Sequence, residues 1–400
     1  MANFETKIKD ATSAEKPGIL GVVALAIGRN GNPIFSHAVG KTTVNPSNST
    51  SIDKNSVLAL ASCTKLITAI AALRLVEQGR FDINDPSIVE KHLPELSQQD
   101  VITSPPGQPL TYEKRNKPIT VGHLLTHTSG AGYDFLNPTL LAWRKQRGEG
   151  PQHLVGVLPD CLEVPSLFQP GEGWAYGSGS DWIGILVSRI TDETLGDFMR
   201  KEIFDVVGCD HLIGFGTKEI QEDGDATIVQ VAIRGENGDL AEYPMPEQKS
   251  QRGGGGLWSS ADNFAKILAD IIAPEPKILS PKTLDILFAA RLSEGSGGLT
   301  SLREQAPLYQ AMIGPLTASL PDTAINHALG GLLITENSEV LGKTKGTMVW
   351  GGGFGSLWFA NRERGFAAFY GGSAFPPGQG VSSELIADFV STVWEEVGAK

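Results

Sequence analysis

Cysteine is scarce: Cys63, Cys161 and Cys209 are the three in 400 residues. They are too few and too scattered for a disulfide framework, and a reducing compartment is the natural setting. Positive charge is also short. Lys and Arg number 33 against 45 Asp and Glu, a formal net charge of −12. With no basic stripe to neutralise phosphates, a nucleic-acid partner is not expected. Adsorption to an anionic membrane is disfavoured as well. No apolar run approaches the ~20 residues of a membrane span. The start, Met1-Ala2-Asn3-Phe4-Glu5-Thr6-Lys7, lacks the apolar core of a secretion signal. A cytoplasmic protein without a membrane partner is expected. Composition assigns no oligomeric state. Internal repeats and low-complexity tracts are missing too.

What is present is ordinary globular material, 40% hydrophobic and 20% charged residues. The length is large for one core, so two lobes are expected. Gly21 to Ile27 is apolar and partly β-branched, Asn30-Gly31 follows, and Ile34 to Val39 resumes the pattern. Strand, Asn-Gly turn, strand predicts a hairpin. Residues 346–350, 356–361 and 365–370 read as three more strands, with Arg362-Glu363-Arg364-Gly365 as a tight turn. Ser382 to Val397 reads as an amphipathic helix. Strands at both ends with helices between predict an α+β fold. One antiparallel sheet is built from both chain ends and flanked by helices, with a mostly helical lobe inserted. The expected division is 1–75 and 325–400 for the sheet lobe and 76–324 for the helical lobe. The cleft between them is the expected site. Helical patterning at 121–127, 181–191, 195–207 and 261–272 supports the insertion, whereas 97–119 and 292–325 read as loops rich in Pro, Gly, Ser and Thr.

The chemistry starts at Ser62-Cys63-Thr64-Lys65, the mouth of a helix predicted from Ser62 to about Gln78. That helix is apolar nearly all round (Leu66, Ile67, Ile70, Leu73, Val76; Arg74 is the exception), which predicts burial. Positions i and i+3 share one face, so the Ser62 hydroxyl and the Lys65 amine project together. A serine hydroxyl alone is a poor nucleophile, and a neutral amine beside it can take its proton. Tyr176 precedes the small-residue loop Gly177-Ser178-Gly179-Ser180. A phenol with the usual pKa of ~10 is a weak base at neutral pH, but an ammonium nearby favours the phenolate and lets it pass a proton. By itself Tyr176 would read as a core tyrosine. Trp350-Gly351-Gly352-Gly353-Phe354 ends a predicted strand. Glycines there let a carbonyl approach main-chain N–H groups. An oxyanion hole from the N–H of Ser62 and that of Gly352 or Gly353 is one reading; an edge-strand bulge is the other.

Ser62-x-x-Lys65, Tyr176-Gly177-Ser178 and Trp350-Gly351-Gly352 stand in one order. With Leu124-Leu125-Thr126-His127-Thr128-Ser129-Gly130 and the run from Gly253 to Ser260, they resemble the class C β-lactamase and penicillin-binding-protein-like family, of which S-x-x-K is a signature. The pattern looks most like the branch of family VIII carboxylesterases and fungal lovastatin-type acyltransferases. The resemblance runs from about residue 15 to residue 395. It implies a β-lactamase/transpeptidase-like fold and a catalytic set of Ser62, Lys65 and Tyr176, with no cofactor and no metal. Penicillin-recognising members carry Tyr-x-Asn and Lys-Thr-Gly; here Ser178 and Trp350-Gly351-Gly352 replace them. Losing that cation and gaining an indole should favour neutral, apolar acyl groups over carboxylated β-lactams.

The resemblance therefore implies a serine acyl-enzyme hydrolase or acyltransferase of secondary metabolism. Its substrate would be a small-molecule ester, thioester or amide, and an acyl carrier domain is a candidate donor. Candidate substrate-binding residues are Gly352, Gly353, Trp350, Ser178, Trp258 and Phe354. Trp174, Trp182 and Trp358 join the aromatic ones as candidate walls of an apolar acyl pocket, each equally readable as a core residue. The rival readings are a β-lactamase or D-amino-acid peptidase, and a non-catalytic binding or assembly member.

Four other signals are read as structural. His123 and His127 have zinc-like spacing but lack the glutamate of H-E-x-x-H. The Gly253–Gly256 run lacks the lysine of a phosphate loop and reads as a turn packed against the cleft. Cys63 diverges from its helical neighbour by about 100° and reads as a small buried hydrophobe. Lys343-Thr344-Lys345-Gly346 is out of register with the Lys-Thr-Gly position.

Overall fold

The computed structural model describes residues 2–13, 17–105, 107–317, 320–377 and 380–398. Its central sheet has seven strands. In spatial order they are Ile325–His327, Leu332–Ile334, Thr347–Gly352, Ser356–Asn361, Phe366–Gly371, Gly21–Gly28 and Pro33–Gly40, all neighbours antiparallel. The Phe366–Gly371 strand pairs with Gly21–Gly28, placing Ala368 opposite Ala26. The two ends of the chain thus close one sheet, as their patterns predict.

Successive side chains leave a strand on opposite faces. Phe369 packs on Phe264 of helix Ala261–Ile272, with ring centroids 4.8 Å apart. Its neighbour Tyr370 packs on Phe389 of helix Gly380–Gly398, at 5.6 Å. Helices therefore cover both faces, and Phe366–Gly371 is buried throughout. This is why it reads as a continuous apolar run rather than an alternation. Phe4 of helix Ala2–Ser13 completes one layer by packing on Phe35 and Phe389. Helix Ala261–Ile272 belongs with the sheet by its packing, although it falls inside the 76–324 span expected for the helical lobe.

The expectation that 292–325 is a loop is wrong. Gly297–Glu304 and Ala306–Thr317 are helices. Leu299, Leu302, Ala306, Tyr309, Ile313 and Leu316 are all buried. Their three- or four-residue spacing is a helical stripe, masked in the sequence by the flanking Gly, Ser and Thr. The helix expected over 195–207 is α-helical only at Leu195–Met199, then widens to a π turn at Arg200–Phe204 and tightens at Asp205–Val207. The helix expected over 121–127 stops at Leu125, and His127 adopts a left-handed φ of 58°. In 97–119, past the end of helix Pro94–Ser97, the described residues hold only the two-residue strands Val101–Ile102 and Tyr112–Glu113. Among the described residues no helix is long and apolar enough to cross a membrane.

The helix after Ser62 runs from Thr64 to Glu77, with Thr64–Leu73 wholly buried. It packs on helices Gly179–Thr191 and Pro281–Leu287. A short strand, Val57–Ala59, leads into it and pairs with Trp258–Ser260, Ala59 lying opposite Trp258. That pairing brings the Gly253–Gly256 turn beside the first turn of the Ser62 helix.

Candidate active site

Ser62 lies in a 3₁₀ turn, Ala61–Cys63, that feeds the helix. The residue before it, Ala61, has φ 44°, a left-handed conformation rare outside glycine. Such strain is held only where the surroundings over-determine it. The turn leaves Ser62 partly exposed while Lys65, one turn on, is 5% exposed. Lys65 Nζ lies 3.1 Å from Ser62 Oγ.

Tyr176 arrives from the segment just before helix Gly179–Thr191, and its hydroxyl donates to Ser62 Oγ at 2.6 Å. Glycine makes this approach possible. A Cβ at position 177 would fall 1.9 Å from the Ala131 carbonyl oxygen, so no other residue lets the two segments bridge at Gly132 and Gly177. The Tyr176 ring is wedged among His127 (centroids 5.0 Å), Trp350 (5.2 Å) and a parallel Trp174 (6.4 Å). Lys65 Nζ sits over its face, 4.8 Å from the ring centroid. Lysine and phenol thus converge on one hydroxyl from different directions.

Lys65 has two further partners. Its nitrogen donates to the Gly254 carbonyl at 2.5 Å and to Tyr133 Oη at 3.3 Å. Tyr133 in turn donates to Asp181 Oδ2 at 3.0 Å, and Asp181 Oδ1 accepts the Gly254 N–H at 2.9 Å. Burial and the Asp181 carboxylate push the Tyr133 phenol well above its usual range, so it stays protonated. Burial also holds His127 far below the usual histidine range and brings His327 down to about 4, so both are neutral at pH 7.

The other sequence candidates divide. Gly352 is pressed against the Ser62 turn: a Cβ there would lie 2.6 Å from the Leu60 carbonyl oxygen and 3.4 Å from Cys63 Sγ. Gly353, one residue on, faces open space, with nothing within 4 Å of a Cβ. Strand Thr347–Gly352 keeps unbroken register with Ser356–Asn361 as far as Gly352 opposite Ser356, so no bulge interrupts it there. Trp350 is buried behind Tyr176. Ser178 is fully buried, its N–H and Oγ directed at the Ala131 carbonyl, away from solvent. Trp258 packs into a small separate cluster with Val57, Leu212 and Ile220. Phe354 is half-buried in an aromatic group with Tyr243 and Phe375. Trp174, Trp182, Trp350 and Trp358 are fully buried core residues. Their burial agrees with the core alternative, which hydrophobicity alone does not separate from lining.

The histidines are structural in geometry. His123 Nδ1 accepts the Thr120 N–H in a capping box, and His127 Nδ1 accepts the Gly177 N–H at 3.4 Å. Among the described residues no group of three or more His, Cys, Asp or Glu is placed to hold a metal ion. Cys63 is fully buried and burial pushes its thiol up, which disarms it as a rival nucleophile. Sequence reasoning missed Tyr133, Asp181 and the Gly254 carbonyl. They lie 68, 116 and 189 positions from Lys65, by the arithmetic 133 − 65, 181 − 65 and 254 − 65, and no local spacing announces them.

A model of the beta-lactamase family matches residues 9–389. The chain belongs to this family. It is 30% identical to acyltransferase calJ of Penicillium decumbens, over 99% of this chain and 98% of that one. It is 31% identical to the lovastatin esterase of Penicillium rubens, over 96% of this chain and 95% of the other. A solved structure of a simvastatin synthase mutant, LovD6 of Aspergillus terreus, matches with a TM-score of 0.84 at 25% identity, covering 99% and 95% of the two chains. The antiparallel sheet with its helical insertion is the fold of this family, as the sequence motifs implied.

Proposed function

We propose that the chain is a serine acyl-enzyme hydrolase or acyltransferase acting on an ester or thioester of an apolar small molecule. The observation that carries this reading is the convergence on Ser62 Oγ of Tyr176 Oη at 2.6 Å and Lys65 Nζ at 3.1 Å. In this reading the site lies between the sheet lobe, which supplies Ser62 and Lys65, and the inserted lobe, which supplies Tyr176. Ser62 Oγ attacks the acyl carbonyl as its proton passes to Lys65. The N–H groups of Ser62 and Gly353 hold the oxyanion, Gly353 being the glycine that faces open space. The carbon–oxygen or carbon–sulfur bond then breaks, and Tyr176 gives the departing group its proton. An alcohol or water attacks the acyl-enzyme by the reverse path and frees Ser62.

Two relatives support acyl chemistry on small secondary metabolites by name: the lovastatin esterase, and the monacolin J acid methylbutanoyltransferase of Aspergillus terreus, 28% identical over 90% of this chain. A carrier domain is one source of the thioester. Three free, buried cysteines agree with a cytoplasmic setting. Trp350, where penicillin-recognising members carry lysine, supplies no cation for a β-lactam carboxylate.

The test is burst kinetics with p-nitrophenyl esters, followed by intact-mass measurement of the acyl adduct. The adduct should form on the wild type and vanish in Ser62→Ala. Rapid nitrocefin turnover with no ester burst would replace this reading by that of a β-lactamase.

A further inference from the structure

We infer that Asp181 and Tyr133 are positioning residues that aim the Lys65 nitrogen at Ser62. The inference rests on the reading that Lys65 takes the Ser62 proton.

The argument is one of valence. Tyr133 has a single hydroxyl hydrogen, and it goes to Asp181 Oδ2 at 3.0 Å. What Tyr133 turns toward Lys65, 3.3 Å away, is therefore a lone pair, and Lys65 must donate to it. The Gly254 carbonyl is an acceptor only, and it takes a second Lys65 N–H at 2.5 Å. A neutral amine has two N–H groups and one lone pair. With both N–H groups engaged, the lone pair faces the remaining neighbour, Ser62 Oγ at 3.1 Å. After proton transfer the same position carries the third N–H of the ammonium, directed back at the Ser62 oxygen.

Asp181 fixes both acceptors at once. Oδ2 sets the polarity of Tyr133, and Oδ1 takes the Gly254 N–H at 2.9 Å, which anchors on its N-terminal side the residue whose carbonyl meets Lys65. The loop leaves no room for a side chain at 254. A Cβ there would stand 2.5 Å from both Asp181 Oδ2 and Tyr133 Oη. Asp181 is 3% exposed and lies in the first turn of helix Gly179–Thr191, where the helix dipole favours a carboxylate. Its charge also offsets the ammonium that forms at Lys65 during acylation. The titratable and charged groups gathered around Lys65 are Cys63, His127, Tyr133, Tyr176 and Asp181, with Arg252 acting on Tyr133. Asp181 is the carboxylate among them.

The experiment compares full-length Asp181→Asn, Tyr133→Phe and the double variant with the wild type. Acylation is followed with a fluorophosphonate probe and with p-nitrophenyl butyrate across pH. Each single variant should lower the acylation rate by about 10²-fold, the scale of a misaimed reacting group, while KM changes little. The double variant should be little worse than either single, because all three break one chain of contacts. In Asp181→Asn the acidic limb of the kcat/KM profile should move to lower pH, since the ammonium has lost its counter-charge. Tyr133→Phe keeps the ring stacked on Phe135 at 4.9 Å and carries the test alone if Asp181→Asn does not fold. Wild-type rates in a folded single variant, an unmoved acidic limb in folded Asp181→Asn, or fully multiplicative effects would each overturn the inference. A wild type that the probe never labels at Ser62 would instead sink the proposed function, and this inference with it.

Discussion

Tyr176 Oη stands 2.6 Å from Ser62 Oγ although 114 positions separate the two residues in the chain. The lysine three positions away lies farther, at 3.1 Å. The phenol is therefore the group in closest touch with the proposed nucleophile. Lys65 is held over its ring face rather than against its hydroxyl.

Tyr176→Phe keeps the ring and deletes the contact. Acyl-enzyme formation from a p-nitrophenyl ester should fall by about 10²-fold or more, the usual size of a lost general acid–base step, while the melting temperature stays near that of the wild type. A Tyr176→Phe enzyme with an undiminished burst would remove the phenol from the mechanism.

Two glycines near the site should respond in opposite ways. Gly177→Ala drives a Cβ to 1.9 Å from the Ala131 carbonyl oxygen, a backbone atom that has little freedom to yield. It should destabilise the fold by more than the ~1–3 kcal/mol of ordinary overpacking and lower the melting temperature sharply. Gly353→Ala meets open space, so it should fold normally and report on substrate access. Equal melting temperatures for the two variants would contradict the close approach at Gly177.

Stability should fall with acid before most carboxylates titrate. His127 and His327 are neutral in the fold, His327 with a value near 4 and His127 well below its ordinary 6.5. The unfolded chain takes up these protons near 6.5, so between about 4 and 6.5 it binds more than the folded chain. The stability is complete above that window and is lost as pH drops through it. Asp134, brought down to about 2 by its His153 and Arg144 contacts against the opposing effect of burial, extends the loss to lower pH with the same sign. Thermal melts at pH 7 and pH 5 should differ, and His327→Gln should flatten part of the slope. A flat melting temperature over this range would mean that these rings are hydrated.

Cys63, next to the proposed nucleophile, should resist maleimide in the native protein and react only after denaturation, because it is fully buried with its thiol pushed up. Peptide mapping of the labelled protein checks this. Native labelling at Cys63 would reopen it as a nucleophile.

The parts that were readable in the sequence are those set by short-range pattern. The hairpin at 21–40, the three late strands and the closing helix each carry their own periodicity or turn signal, and the structure has them within a residue or two. Ser62 and Lys65 were readable for the same reason, since one helical turn joins them. The helices at Gly297–Glu304 and Ala306–Thr317 were hidden because turn-like composition outweighed an apolar stripe. The tryptophans stayed open between core and pocket wall because a large apolar side chain looks the same whether it faces neighbours or a ligand.

By itself, then, the sequence determined the sheet closed by both chain ends and the pairing of an alcohol with an amine on one helix. Tertiary structure alone decided what surrounds that amine. The Gly254 carbonyl, the Tyr133 hydroxyl and the Asp181 carboxylate reach it from three separate segments. Hydrogen-bond direction depends on where those atoms meet in space, and no local periodicity encodes that.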